Sequence, residues 1–115
     1  MSVETMSKLY ELKNITGVKD ATGDLNRVDQ QLKAMGKDFI QLTGNDDNAL
    51  EFNKRGGVGA IGVTANIAAK ISSDFQKACE QKNEEAESLD KLLQPLHSAL
   101  FIESNPSPVK YAASL

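Results

Sequence analysis

Gly17, Lys19 and Ala21 place an amine between two of the smallest residues a protein has. Read as part of a strand from Ile15 to about Ala21, these three share one face, because strand side chains alternate, while Thr16, Val18 and Asp20 share the other. A small ketone has room beside such a lysine, and the reaction an amine performs on a ketone is Schiff-base formation. Only the neutral amine attacks. With a pKa near ~10.4, about one ordinary lysine in 2,500 is neutral at pH 7, so this reading needs burial or a nearby cation to favour the neutral form. Asp20, the nearest carboxylate in sequence, is directed to the opposite face and need not hold the amine charged. The plainer alternative is a strand-end lysine whose head reaches solvent along an apolar stem.

Gly57, Gly59 and Gly62 spell GVGAIG, a literal match to the dinucleotide fingerprint. In that fingerprint the glycines follow a strand and open a helix whose N-terminus receives pyrophosphate. Here a polar helix precedes them and a strand continues through them, so close packing, or a ligand near the backbone, is the better reading. Asn45, Asp46 and Asp47 are three adjacent polar residues at a helix start, which favours capping over a metal cluster. Cys79 lies on an apolar helical stripe, where cysteine is usually an unreactive core residue, and His97 stands beside a leucine stripe with no acid or cysteine close in sequence. Neither is assigned chemistry.

The elements that must position Lys19 follow from periodicity. Ser2 is a plausible N-cap for a helix to about Lys13, with Val3, Met6, Leu9, Tyr10 and Leu12 on its apolar side. After the first strand, Asp24 caps a helix whose stripe is Leu25, Val28, Leu32 and Met35, and Gly36 closes it. A short strand at Phe39–Leu42, a turn at Gly44–Asp47 and a brief helix from about Asn48 to Arg55 come next. Val58 to Val63 carry no charge and are rich in Gly, Val and Ile, which predicts a third strand covered on both faces. Strand and helix alternating in this way predict a parallel sheet with crossover helices. The strand ends then bring Lys19–Thr22, Thr43–Asp46 and Val63–Asn66 to one rim, where parallel α/β proteins place ligands. Beyond Ile67 the chain is helical: one helix through Ile71, Phe75, Ala78 and Cys79, another through Leu89 to Leu100 with Pro95 as a kink, and a last one capped by Asn105 with Pro106 as its first residue.

At 115 residues the chain can bury one core but is short for a fold of many parallel strands. Its net charge of -3, from 13 basic and 16 acidic residues, offers no positive field for nucleic acid or a membrane surface. One cysteine rules out an internal disulfide and one histidine rules out a histidine cluster for metal, which fits a reducing, cytoplasmic setting. With no run of ~18 apolar residues and no signal-peptide pattern, the chain is expected to be soluble and unexported.

GVKDATGDL around Lys19, LTGNDDNAL from Leu42, GGVGAIGVTAN from Gly56 and NPSPVKYA from Asn105 together resemble the second half of the dihydrodipicolinate synthase family, in the same order and spacing. These are pyruvate-dependent Schiff-base lyases of bacterial lysine biosynthesis. ATGDL and GVTAN look more like the synthase than like N-acetylneuraminate lyase or the sugar-acid aldolases. The resemblance implies an α/β fold. Residues 1–70 would be a partial TIM (β/α)8 barrel, about strands six to eight, and residues 71–115 a helical C-terminal region. It implies Lys19 as the Schiff-base lysine, a backbone contact from Ile61 to pyruvate, and Gly44 on the rim of the site. It further implies condensation of pyruvate with aspartate semialdehyde through an imine and an enamine, without metal or organic cofactor, in a homotetramer. By the same match strands one to five are absent, and with them the family's threonine-tyrosine relay and the arginine for the second substrate. The chain alone is therefore expected to be inactive or nearly so and to need the missing barrel half. Another aldolase of the superfamily, or a non-catalytic half-barrel that pairs with itself or with a second half, are the rival readings.

Overall fold

In the computed structural model, residues 1–115 are all described, and they form two units, Met1–Ile61 and Gly62–Leu115. The first is α/β: helix α1 (Val3–Tyr10), strand β1 (Gly17–Asp20), helix α2 (Asn26–Met35), strand β2 (Ile40–Thr43), a 3-10 turn at Asp46–Asn48 and helix α3 (Ala49–Lys54). Ser2 caps α1 as its hydroxyl accepts the Thr5 N–H at 3.1 Å. β1 and β2 are parallel, with Gly17, Val18, Lys19 and Asp20 opposite Ile40, Gln41, Leu42 and Thr43. A crossover helix is what two parallel neighbours need, and α2 supplies it. Of its expected stripe Val28 is fully buried, while Leu25, Leu32 and Met35 are half-buried. Gln31 is as buried as Val28, and Gln41 of β2 donates to the Val28 carbonyl at 3.2 Å. Met6, Val28, Phe39, Ala49 and Phe52 form this unit's apolar core, and Tyr10 meets Phe39 edge to face at 5.0 Å.

The expected third strand does not form as a strand. Val58 N–H donates to Gln41 and Ile61 N–H to Thr43, so the chain advances three residues on one side against two on the other. One residue too many breaks the ladder as a bulge does, and only an isolated parallel bridge, Thr43 with Ala60, survives. Nor is the segment covered on both faces: Val58 is 67% exposed and Ile61 51%. The lack of charge reflects close approach instead. A β-carbon on Gly57 would overlap the Phe52 ring. Gly57→Ala is accordingly expected to cost about 1–3 kcal/mol by overpacking, read as a melting temperature several degrees lower with secondary structure otherwise retained.

The second unit is a 3-10 turn at Thr64–Asn66 followed by helices α4 (Ala69–Glu80), α5 (Glu85–Ala99) and α6 (Ser107–Ser114). α4 packs on α5, and Phe75, Ala78, Ala86, Leu93, Leu100 and Val109 are its buried apolar residues. α5 runs unbroken through Pro95. α6 begins one residue later than expected, with Pro106 rather than Asn105 at the cap and Pro108 in the first turn, and the Asn105–Pro106 bond is cis. Between α4 and α5, Asn83 N–H reaches the Ala78 carbonyl at 2.9 Å and Lys82 N–H the Cys79 carbonyl at 3.1 Å, the paired bonds of a Schellman turn. That turn holds Lys82 at φ +52°, where a side chain is unfavourable. Lys82→Gly should stabilise the protein by about 0.5–1 kcal/mol, seen as a higher urea midpoint at unchanged slope. No helix of the chain is long and apolar enough to cross a membrane.

Candidate active site

Alternation along β1 puts Lys19 and Ala21 on one face and Asp20 on the other, and the neighbouring strand end is built around that choice. A β-carbon on Gly44 would lie 2.9 Å from Lys19 Cε and 2.6 Å from Ala21 Cβ, so the lysine stem crosses the bare backbone just past β2. The Gly44 N–H donates to the Asp20 carbonyl at 2.8 Å and fixes that crossing. Ile61 N–H donates to Thr43 at 2.8 Å, beside Gly44, while the Ile61 carbonyl accepts no hydrogen bond within the chain. Lys19, Gly44 and Ile61 thus come together at the C-terminal ends of β1 and β2, with a free amine and a free carbonyl among them.

Burial of the amine, which the nucleophile reading asks for, is not found: Lys19 is exposed. The cause is its place at the sheet's edge, since β1 has β2 as its only strand neighbour. Lys19 has no carboxylate partner either, and Asp20 is fully engaged elsewhere. Its carboxylate accepts from the Thr22 N–H (3.0 Å), the Thr22 hydroxyl (2.7 Å), Arg27 Nε (2.8 Å) and Gln31 Nε2 (2.8 Å). Burial by itself would raise this carboxyl's pKa; the Thr22 hydroxyl, the Arg27 guanidinium and the further donors outweigh it and hold it at about 2.

Asn45 forms no side-chain cap at the start of the 3-10 turn, contrary to expectation. Thr43 does that work, accepting the Asn45 N–H at 3.0 Å and donating to Asn48 Oδ1 at 3.0 Å, which leaves the Asn45 amide redundant as a cap. The GVGAIG glycines follow α3 and open no helix, so they form no pyrophosphate cradle. Cys79 is half-buried on α4. His97 is buried, with Nδ1 2.6 Å from the Thr64 hydroxyl, a pairing across 33 residues that ties α5 to the turn at Thr64–Asn66. Sequence reasoning missed Arg27 and Gln31 as partners of Asp20. Their spacing of four on one helical face was the available signal.

The profile of the Dihydrodipicolinate synthetase family matches residues 1–115. The 4-hydroxy-tetrahydrodipicolinate synthase of Pelagibacter ubique is 71% identical over 119 residues, covering 100% of this chain and 41% of that protein. That of Zymomonas mobilis is 57% identical over 115 residues, covering 99% of this chain and 40% of its own length. Among solved structures, dihydrodipicolinate synthase from Aquifex aeolicus superposes with a TM-score of 0.94 at 33% identity, over 98% of this chain and 39% of that one. The chloride-inhibited enzyme from Acinetobacter baumannii, complexed with pyruvate, gives 0.92 at 40% identity, over 98% and 39%. The chain spans about two fifths of the length of these relatives.

Proposed function

Because the chain belongs to the dihydrodipicolinate synthetase family, we propose that it carries the Schiff-base portion of a 4-hydroxy-tetrahydrodipicolinate synthase, a lyase that condenses pyruvate with aspartate semialdehyde in lysine and diaminopimelate biosynthesis. The observation that carries this reading is the Lys19 stem lying across Gly44 at the ends of two parallel strands. Nζ of Lys19 attacks the ketone carbon of pyruvate, water leaves, and the imine loses a methyl proton to become an enamine. The enamine carbon then attacks the aldehyde of the second substrate. The free Ile61 carbonyl faces the keto acid as a backbone contact, and Gly44 forms the rim. β1, β2 and the bulged segment at Val58–Ile61 correspond to about strands six to eight of an eight-stranded barrel, and the helices of residues 71–115 to its C-terminal region. The family's homotetramer and a cytoplasmic setting belong to the same reading.

The exposure of Lys19 supports a further part of the proposal: these 115 residues alone turn over slowly or not at all. A nucleophilic lysine needs a shielded setting, which this chain alone does not give Lys19. Incubation with pyruvate and borohydride, followed by peptide mass mapping, is expected to place a slow reduced adduct on Lys19 and on no other lysine. Absence of that adduct overturns the nucleophile assignment, and full condensation by this chain alone overturns the inactivity. An adduct with pyruvate but condensation with a different aldehyde would move the assignment to another aldolase of the superfamily.

A further inference from the structure

Asp20 is the one buried carboxylate of the chain, and the reaction just proposed has no use for it. It is also the most completely bonded side chain, gathering its donors from two elements: Thr22 in the turn after β1, and Arg27 and Gln31 on α2. Its backbone carbonyl accepts from Gly44, so residue 20 is tied both to α2 and to the end of β2. Lys19, the residue before it, shows no hydrogen bond or ion pair of its own, and its stem passes over the bare backbone at Gly44.

We propose that Asp20 is a positioning residue for Lys19: by locking the end of β1 to α2 through Arg27 and Gln31, it holds the lysine stem over Gly44, where its amine can meet a keto acid. The carboxylate faces away from the amine and touches neither it nor substrate. Its charge is satisfied by Arg27 on the far side of the strand, with an N–O distance of 2.8 Å at a site where Asp20 is 6% exposed. Arg27 in turn donates to the Met1 carbonyl at 3.0 Å, which braces the guanidinium from its other end. A well-placed amine reacts faster than a wandering one at the same intrinsic reactivity, because the approach is already organised.

The inference rests on Lys19 being the Schiff-base lysine, and one experiment separates the two. The rate of borohydride trapping with pyruvate is measured on the 115-residue chain, per folded molecule by circular dichroism, over a range of pyruvate concentrations. Failure of the unaltered chain to label Lys19 ends the lysine assignment and this proposal with it. Given labelling, Asp20→Asn is expected to lower the maximum trapping rate about tenfold, with the half-saturating pyruvate concentration changed less than about twofold. Should Asp20→Asn not fold, Thr22→Val, which removes one hydroxyl from an exposed turn residue, carries the test with an expected loss of about threefold in the same parameter. Rates per folded molecule equal to those of the unaltered chain, with only the folded fraction reduced, would show that the network is merely structural and overturn the proposal. So would a loss confined to half-saturation.

Discussion

Gly44→Ala should suppress labelling of Lys19 by pyruvate and borohydride by at least about tenfold, the steepest effect of any substitution outside the lysine itself. The reason is steric and local. The added methyl would stand 2.9 Å from Lys19 Cε and 2.6 Å from Ala21 Cβ, separations that β-carbons do not adopt. The Ala21 contact is to a residue on the neighbouring strand end, so relieving it takes a small backbone shift there in either case. Either the lysine swings off the rim or β1 and β2 part at their C-terminal ends, and both outcomes move the amine. The second route also breaks the Gly44-to-Asp20 backbone bond and would add about 1–3 kcal/mol of destabilisation. Backbone strain does not enter, because Gly44 is not among the glycines of positive φ. Comparing trapping rate with urea midpoint therefore tells which route is taken: a slow rate at unchanged midpoint means the lysine yields, a slow rate at lowered midpoint means the strands do. A normal rate with a normal midpoint would mean that the lysine does not need this bare stretch of backbone.

What could be read from the residues was whatever depended on period and punctuation. The alternation across Gly17, Lys19 and Ala21, and the opposite outlook of Asp20, came straight from strand geometry and agree with the contacts at Gly44 and Arg27. The Ser2 cap, the Gly36 stop and the α2 crossover were equally local signals. Composition points the wrong way at Val58–Val63, because it reports the absence of charge without saying why charge is absent. Here the glycine at 57 makes room for Phe52, and an extra residue spoils the ladder. The Lys19 environment was out of reach for another reason: burial is a property of neighbours, and an edge strand leaves its outer side to solvent whatever its own sequence. Gln31 shows the same limit. A glutamine on a helix reads as surface, yet this one is 1% exposed because a carboxylate from the adjoining strand waits for its amide.

That carboxylate makes the stability of the chain depend on acid in a defined window. Asp20 ionises in the folded protein at about 2, against 3.8 for an unhindered aspartate. Its folded pKa is depressed, so between these values the unfolded chain binds the proton more readily, and stability falls as pH falls. The contribution is fully present above about pH 5, declines from about pH 4, and is gone once the folded carboxyl itself takes up a proton near pH 2. At about 1.4 kcal/mol per pH unit it amounts to about 2 kcal/mol, a sizeable share of the ~5–15 kcal/mol typical of a folded domain. Because the side chain is 6% exposed, solvent screening takes little from that figure. The exposed Lys70–Asp74 pair also lowers a carboxyl pKa, but in open solvent on the other unit, where salt weakens it. Urea titrations at pH 7, 4 and 2 on the unaltered chain and on Asp20→Asn should therefore show two curves well apart at pH 7 that draw together by pH 2. Removing the cation instead, as in Arg27→Ala, leaves the buried charge uncompensated and should cost about 3–5 kcal/mol at pH 7. Part of that loss should return as the pH is lowered and the stranded carboxyl protonates. A stability that stays level from pH 5 to pH 2 in the unaltered chain would mean that Asp20 gains nothing from its four donors on folding.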